Sequence, residues 1–74
     1  MADFHQGIGK RIKELREKRG YSCEELAFLM SIDTELMEDV EQGKIRVFVE
    51  HISKMAILFN VTTDYLIYGT DNRK

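Results

Sequence analysis

The chain has no proline, one cysteine and no long apolar run. Cys23, the lone thiol, rules out an internal disulfide framework and agrees with a reducing cytosol. No apolar stretch approaches the ~20 residues that cross a bilayer. Met1 to Lys10 lacks the apolar middle of a signal peptide. Alternation of apolar and polar residues, the mark of a half-buried strand, continues nowhere for any length. No repeat, linker or low-complexity segment is present. Chemistry-bearing residues are equally sparse. Cys23, His5 and His51 are the only candidates for a nucleophile and base, and no third group joins them. A cysteine opening a helix can have a lowered pKa, but Glu24 and Glu25 beside it oppose that. Two distant histidines and one thiol lack the spacing of a metal site. The "GIGK" at Gly7 to Lys10 is too short for a phosphate loop and follows no strand. Neither an enzyme nor a cofactor or metal is indicated.

What is present is a small, charged chain. Its 74 residues predict one domain. A core of that size contributes roughly 3–5 kcal/mol of stability. With 43% apolar and 32% charged residues, the balance is that of a globular protein rather than a disordered one. The formal charge of −2 weighs slightly against nucleic acid, but its distribution matters more. From Ile8 to Arg19 there are six bases against two acids; from Cys23 to Gln42 there are seven acids and no base.

Helical spacing and punctuation divide the chain into five segments, an all-α architecture. The first spans about Phe4 to Arg19, with Asp3 as cap, Gln6 as reciprocal partner, and Phe4, Ile8, Ile12 and Leu15 on one face. Gly7 and Gly9 weaken its first turns by up to ~1 kcal/mol each, and Gly20 ends it. The second spans about Cys23 to Met30. Ser22 and Glu25 form a capping box, and Leu26, Leu29 and Met30 form the apolar stripe. After a tight turn at Ser31 and Ile32, the third spans about Thr34 to Gln42 with Asp33 as cap. Leu36, Met37 and Val40 are expected inside, and Thr34, Glu35, Glu38, Asp39 and Gln42 outside. The fourth, about Val49 to Phe59, places Val49, Ile52, Met55, Ala56 and Phe59 on the core and stops at Asn60. Thr62 caps a last helix from about Thr63 to Ile67, with Leu66 and Ile67 inward. Residues 1–69 are expected to form the domain and 70–74 a flexible tail.

Ala27 inside one helix, the turn at Ser31, and the pair Met37 and Val40 on the next meet the constraints of a helix-turn-helix. Around them stand "RIKELREKRG", "S-x-E-E-L-A", "E-x-G-K" and "V-T-T-D-Y-L", in that order. This ordered set, from about Ile8 to Gly69, resembles the Cro and lambda-type repressor helix-turn-helix family. The resemblance implies a compact five-helix domain that places its third helix in the major groove of DNA. It implies a structural ion pair between Arg16 and Glu41. It places DNA contacts at Cys23, then at Thr34, Glu35, Glu38 and Asp39, then at Lys44 and Arg46. The chain departs from the family's pattern at three points. Cys23 stands where a glutamine is usual, and a thiol is a weak donor. Ser31 stands where a glycine is usual. Val47 and Phe48 replace a proline and a capping serine.

These departures leave two readings open. The first is a regulator binding double-stranded DNA as a homodimer, weakened by its acidic third helix. One carboxylate there can accept from cytosine N4. Three together each cost roughly 1–4 kcal/mol near phosphates, depending on screening. The second is a protein-interaction module on the same fold, an antirepressor or co-regulator, whose acidic helix engages a partner repressor. Val47 and Phe48, and Ile57 and Leu58 near Tyr65 and Tyr68, suggest an apolar contact surface. Ile57, Leu58, Tyr65 and Tyr68 are the expected dimer contacts.

Overall fold

The computed structural model describes residues 4–70, with side chains from residue 7 onward. The expected Asp3 cap with Gln6, the core role of Phe4, the ring of His5 and residues 71–74 of the tail lie outside what is described. Five helices follow one another: α1 (Phe4–Lys18), α2 (Cys23–Met30), α3 (Thr34–Glu41), α4 (Val49–Phe59) and α5 (Thr63–Tyr68). Among the described residues there is no strand. Three ends differ from the spacing-based expectation by one residue, within the fraying of helix termini.

The helix ends explain why the segments fall where they do. Each helix is followed by a left-handed residue: Gly20, Ser31, Gly43, Asn60 and Gly69. After the first four, the next N–H reaches back to close the end. Tyr21 N–H donates to Arg16 O (3.0 Å), Ile32 N–H to Ala27 O (3.0 Å), Lys44 N–H to Asp39 O (2.9 Å) and Val61 N–H to Ala56 O (3.0 Å). Starts are less uniform. Ser22 Oγ accepts from Glu25 N–H at 3.0 Å, and Glu25 Oε1 accepts from Ser22 N–H at 2.7 Å, a complete capping box. Thr62 Oγ1 accepts from Tyr65 N–H at 3.0 Å. Asp33, expected to cap α3, makes no side-chain cap bond. Its carboxylate is exposed, so water can serve both it and the open amides of the first turn.

The core is built from Ile8, Ile12 and Leu15 of α1, Leu26, Ala27 and Met30 of α2, Met37 and Val40 of α3, Ile52, Met55, Ala56 and Phe59 of α4, and Leu66 of α5. Helix α1 packs against α3 and α5, α2 against α3 and α4, and α4 against α5. Four expectations need correction. Leu29 is 42% exposed, because it lies about 105° around α2 from the middle of the stripe formed by Leu26, Ala27 and Met30. Leu36 is only half-buried, on the flank of the narrow Met37–Val40 stripe. Val49 is 77% exposed while Val47, expected in an open loop, is 6% exposed. These last two have one cause. Phe48 occupies the N-cap of α4, so Val47 and Ile52 take the staple positions before and after it, and Val49 overhangs the first turn. None of the described helices is long and apolar enough to cross a membrane.

Candidate nucleic-acid interface

Helices α2 and α3 and the turn between them form one unit. The turn is sharp because Ser31 adopts φ 61° and ψ 40°, the left-handed conformation. It is the position at which the family's glycine is replaced, so a Cβ is carried where it is unfavourable. Met37 and Val40 hold α3 to the core. Opposite them stand Glu35 and Glu38, both exposed, with Thr34 and Asp39 half-buried at the flanks and Gln42 exposed beyond. Lys44 and Arg46 are exposed in the following loop. Among the described residues, no base lies within ion-pair distance of Glu35, Glu38 or Asp39.

Glu41 has a different environment. Arg16 Nε donates to Glu41 Oε2 at 2.7 Å, and Arg16 Nη2 donates to Glu41 Oε1 at 3.0 Å. The side chains are 12% and 6% exposed. The remaining guanidinium nitrogen, Nη1, donates to Tyr21 O at 2.9 Å. Hydrogen bonding by Glu41 holds the guanidinium pKa above its ordinary value. The pair is bidentate and fixes the end of α3 to the end of α1.

Two further arginines, Arg11 within α1 and Arg19 just past its end, bond backbone carbonyls. Arg11 Nε donates to Leu66 O (2.9 Å) and Nη2 to Ile67 O (2.7 Å), at the C-terminal turn of α5. Arg19 Nη2 donates to Phe59 O at the end of α4, with its guanidinium 5.9 Å from the centre of the Phe59 ring. The C-terminal ends of α5 and α4, with their unpaired carbonyls, thus each receive one arginine, the favourable sign of charge for that end of a helix. The apparent basic face of α1 is therefore half internal wiring. Lys10, Lys13 and Lys18 are its exposed bases.

Cys23, the first residue of α2, is half-buried against the core. Burial raises its pKa, the Glu41 carboxylate adds to that, and Arg16 opposes it. The thiol is therefore neutral at ordinary pH and offers DNA only a weak donor. Among the described residues no three His, Cys, Asp or Glu side chains are placed to hold a metal ion.

In the C-terminal half, Ile57 is 82% exposed and Tyr68 is 66% exposed. Leu58 and Tyr65 are half-buried and pack against the core. Phe48 and Val49 are also exposed, with the Phe48 ring 5.9 Å from that of His51. Sequence reasoning missed one surface residue: Phe28 on α2, 82% exposed. The signal was the run Ala27-Phe28-Leu29-Met30, more consecutive apolar residues than one stripe of an eight-residue helix can bury.

No model of a known protein family matches the chain. Individual proteins do. It is 35% identical over 60 residues to the HTH-type transcriptional regulator ImmR of Bacillus subtilis (strain 168), covering 81% of this chain and 47% of ImmR. It is 31% identical over 63 residues to the SPbeta prophage-derived uncharacterized HTH-type transcriptional regulator YonR of the same organism, covering 85% and 58%. The chain thus spans about half the length of these curated relatives. Two crystal structures match it over more of their length. The restriction-modification controller protein C.AhdI from Aeromonas hydrophila is 34% identical with a TM-score of 0.74, covering 82% of this chain and 92% of that one. The hypothetical transcription factor NHTF from Neisseria is 26% identical with a TM-score of 0.79, covering 88% and 75%. The five-helix order, the left-handed turn between α2 and α3, and an identity of 34% across nearly all of C.AhdI agree. The chain belongs to the Cro and lambda-repressor-type helix-turn-helix family of transcriptional regulators.

Proposed function

We propose that the protein regulates transcription by binding double-stranded DNA as a homodimer, with α3 in the major groove. The α2–turn–α3 unit, which Met37 and Val40 hold to the core while the opposite face of α3 stays open to solvent ahead of the basic loop of Lys44 and Arg46, supports this reading. In it, Thr34, Glu35, Glu38 and Asp39 face base edges, and the carboxylates accept from cytosine N4. Lys44 and Arg46 bind phosphates, and Cys23 lies beside the backbone at the start of α2. Two bases do not outweigh three acids, so one copy binds weakly. A second copy, joined through Ile57, Leu58, Tyr65 and Tyr68, doubles the phosphate contacts and spans half-sites about one helical turn apart.

Equilibrium binding of the chain to DNA from its own gene's upstream region, measured against salt, tests this. Nanomolar to sub-micromolar affinity that falls steeply with salt is the expected result. Salt-independent or absent binding would overturn it.

A second reading is supported by the lack of ion-pair partners for Glu35, Glu38 and Asp39 among the described residues. In that reading α3 is an acidic ridge that engages a partner repressor in place of DNA, as an antirepressor or co-regulator. Co-purification with a repressor, together with failure to bind DNA, distinguishes it.

A further inference from the structure

The outer side of α2 carries a feature that DNA recognition by α3 does not use. Tyr21, Glu24, Glu25, Phe28 and Leu29 line a shallow cleft of about 350 Å³. Its apolar members come from α2 and from the segment just before it. Phe28 and Leu29 project from the side of α2 turned away from Leu26, Ala27 and Met30. Tyr21 lies half-buried between cleft and core, its ring 6.5 Å from that of Phe59. Its backbone is fixed, because its N–H donates to Arg16 O (3.0 Å) and its carbonyl accepts from Arg16 Nη1 (2.9 Å). Helix α2 is fixed in turn by the Ser22–Glu25 capping box. The cleft is thus set on rigid elements rather than on a loose loop.

We propose that this cleft is a docking site for a short amphipathic segment of a partner protein, one that carries large apolar side chains flanked by lysine or arginine. Charge complementarity decides the occupant. The rim is formed by Glu24 and Glu25, and no base occurs anywhere between Cys23 and Gln42. Among the described residues neither rim carboxylate is in an ion pair. Two carboxylates free of ion pairs at the rim attract cationic segments and repel acidic ones. A second copy offering α1 does not fit, because its exposed lysines, Lys10, Lys13 and Lys18, share that helix with an apolar face already consumed by the core. The cleft has room for the apolar stripe of one short helix, not for a folded domain. An apolar centre with a polar rim is also the usual layout of a protein interface. This site does not depend on whether α3 reads DNA.

The test titrates the full chain, labelled for amide NMR, with two synthetic helical peptides. One has a leucine stripe flanked by lysines; in the other, glutamates replace the lysines. The expected result is shifts confined to Tyr21, Glu24, Glu25, Phe28, Leu29 and their neighbours, for the lysine peptide only, weakening as salt is raised. Phe28→Ala should weaken binding about tenfold or more, the loss of one aromatic anchor, with the thermal melt unchanged because the ring is exposed. Glu24→Lys should weaken binding without disturbing the capping box, which uses Glu25. Equal binding of both peptides, shifts centred on Ile57 and Tyr68, or full affinity in Phe28→Ala would each overturn the proposal. So would Phe28→Ala lowering self-association of the free chain, which would make a second copy the occupant.

Discussion

Gly9 on α1 lies against the backbone of α3 at Val40, so closely that a Cβ on it would overlap Val40 O and stand 2.7 Å from Glu41 O. Backbone carbonyls cannot rotate aside as a side chain can. Gly9→Ala must therefore push α1 away from α3, although alanine is the better helix former by about 1 kcal/mol. Overpacking of this kind costs about 1–3 kcal/mol or more. The expected outcome is a net loss of about 2 kcal/mol in urea unfolding. Gly7 is the control. A Cβ there meets only the Arg11 guanidinium at 3.5 Å, an ordinary contact, so Gly7→Ala should stabilise by about 0.5–1 kcal/mol. Equal effects of the two substitutions would show that the close approach is not limiting.

Arg16→Ala removes three hydrogen bonds and leaves Glu41 enclosed without a counter-charge. Breaking an enclosed pair by deleting one partner costs about 3–5 kcal/mol, which matches the whole stability of a domain this small. Arg16→Ala should be largely unfolded by circular dichroism at room temperature. The double variant Arg16→Met with Glu41→Leu removes both charges and should regain helical signal, less what the unpaired Tyr21 carbonyl costs. If Arg16→Ala melts like the parent protein, the pair is not what joins α1 to α3.

The five helices were legible because the punctuation is local. Gly20, Ser22 with Glu25, Asn60 and Thr62 each act on their own neighbours in the chain, so their effect can be read from spacing alone. What failed depends on how helices meet. Gly9 reads as a weak helix former until α3 is placed against it. Val47 and Val49 exchange places because Val47, just before the Phe48 N-cap, takes the staple position over the core, which spacing within α4 does not show. The family resemblance implied the Arg16–Glu41 pair, which the structure shows, but only the fold shows that Arg11 and Arg19 reach the ends of α5 and α4, 40 to 56 positions away along the chain. A single stripe along α2 does not account for Phe28, which stays exposed on the opposite side of the helix.

Ser31 holds the α2–α3 turn at φ 61° with a side chain that disfavours it. The left-handed conformation costs an L-residue about 1–2 kcal/mol relative to glycine. The greater freedom of glycine in the unfolded chain offsets part of that gain. Ser31→Gly should therefore stabilise by roughly 0.5–1 kcal/mol, read as a raised melting temperature with unchanged helix content. A loss of stability would mean that the hydroxyl itself supports the turn.

The thiol of Cys23 should be slow to react. Burial raises its pKa, so less thiolate is present in the folded chain than in the unfolded one at the same pH. Alkylation near pH 8 should be markedly slower than for the chain in urea. The sign for stability follows: the folded form keeps its proton longer, so this contribution is complete below about pH 8.5 and is lost as pH rises above it. Cys23→Ala should remove that slope. Alkylation as fast as that of the unfolded chain would contradict the placement of Cys23 against the core.

Charge reversal on α3 separates the two functional readings. Glu35 and Glu38 are exposed and unengaged among the described residues, so Glu35→Lys with Glu38→Lys should leave the thermal melt nearly unchanged. If α3 faces DNA, two repulsive groups become two phosphate contacts. Non-specific affinity should then rise by at least about tenfold, and the salt slope should steepen by about 2 in the logarithmic plot. Recognition of any cytosine-dependent operator should be lost at the same time, because lysine cannot accept from N4. If α3 instead engages a repressor, the same variant abolishes that complex. An unchanged salt slope would place α3 away from the phosphates, and the orientation proposed for this helix would be wrong.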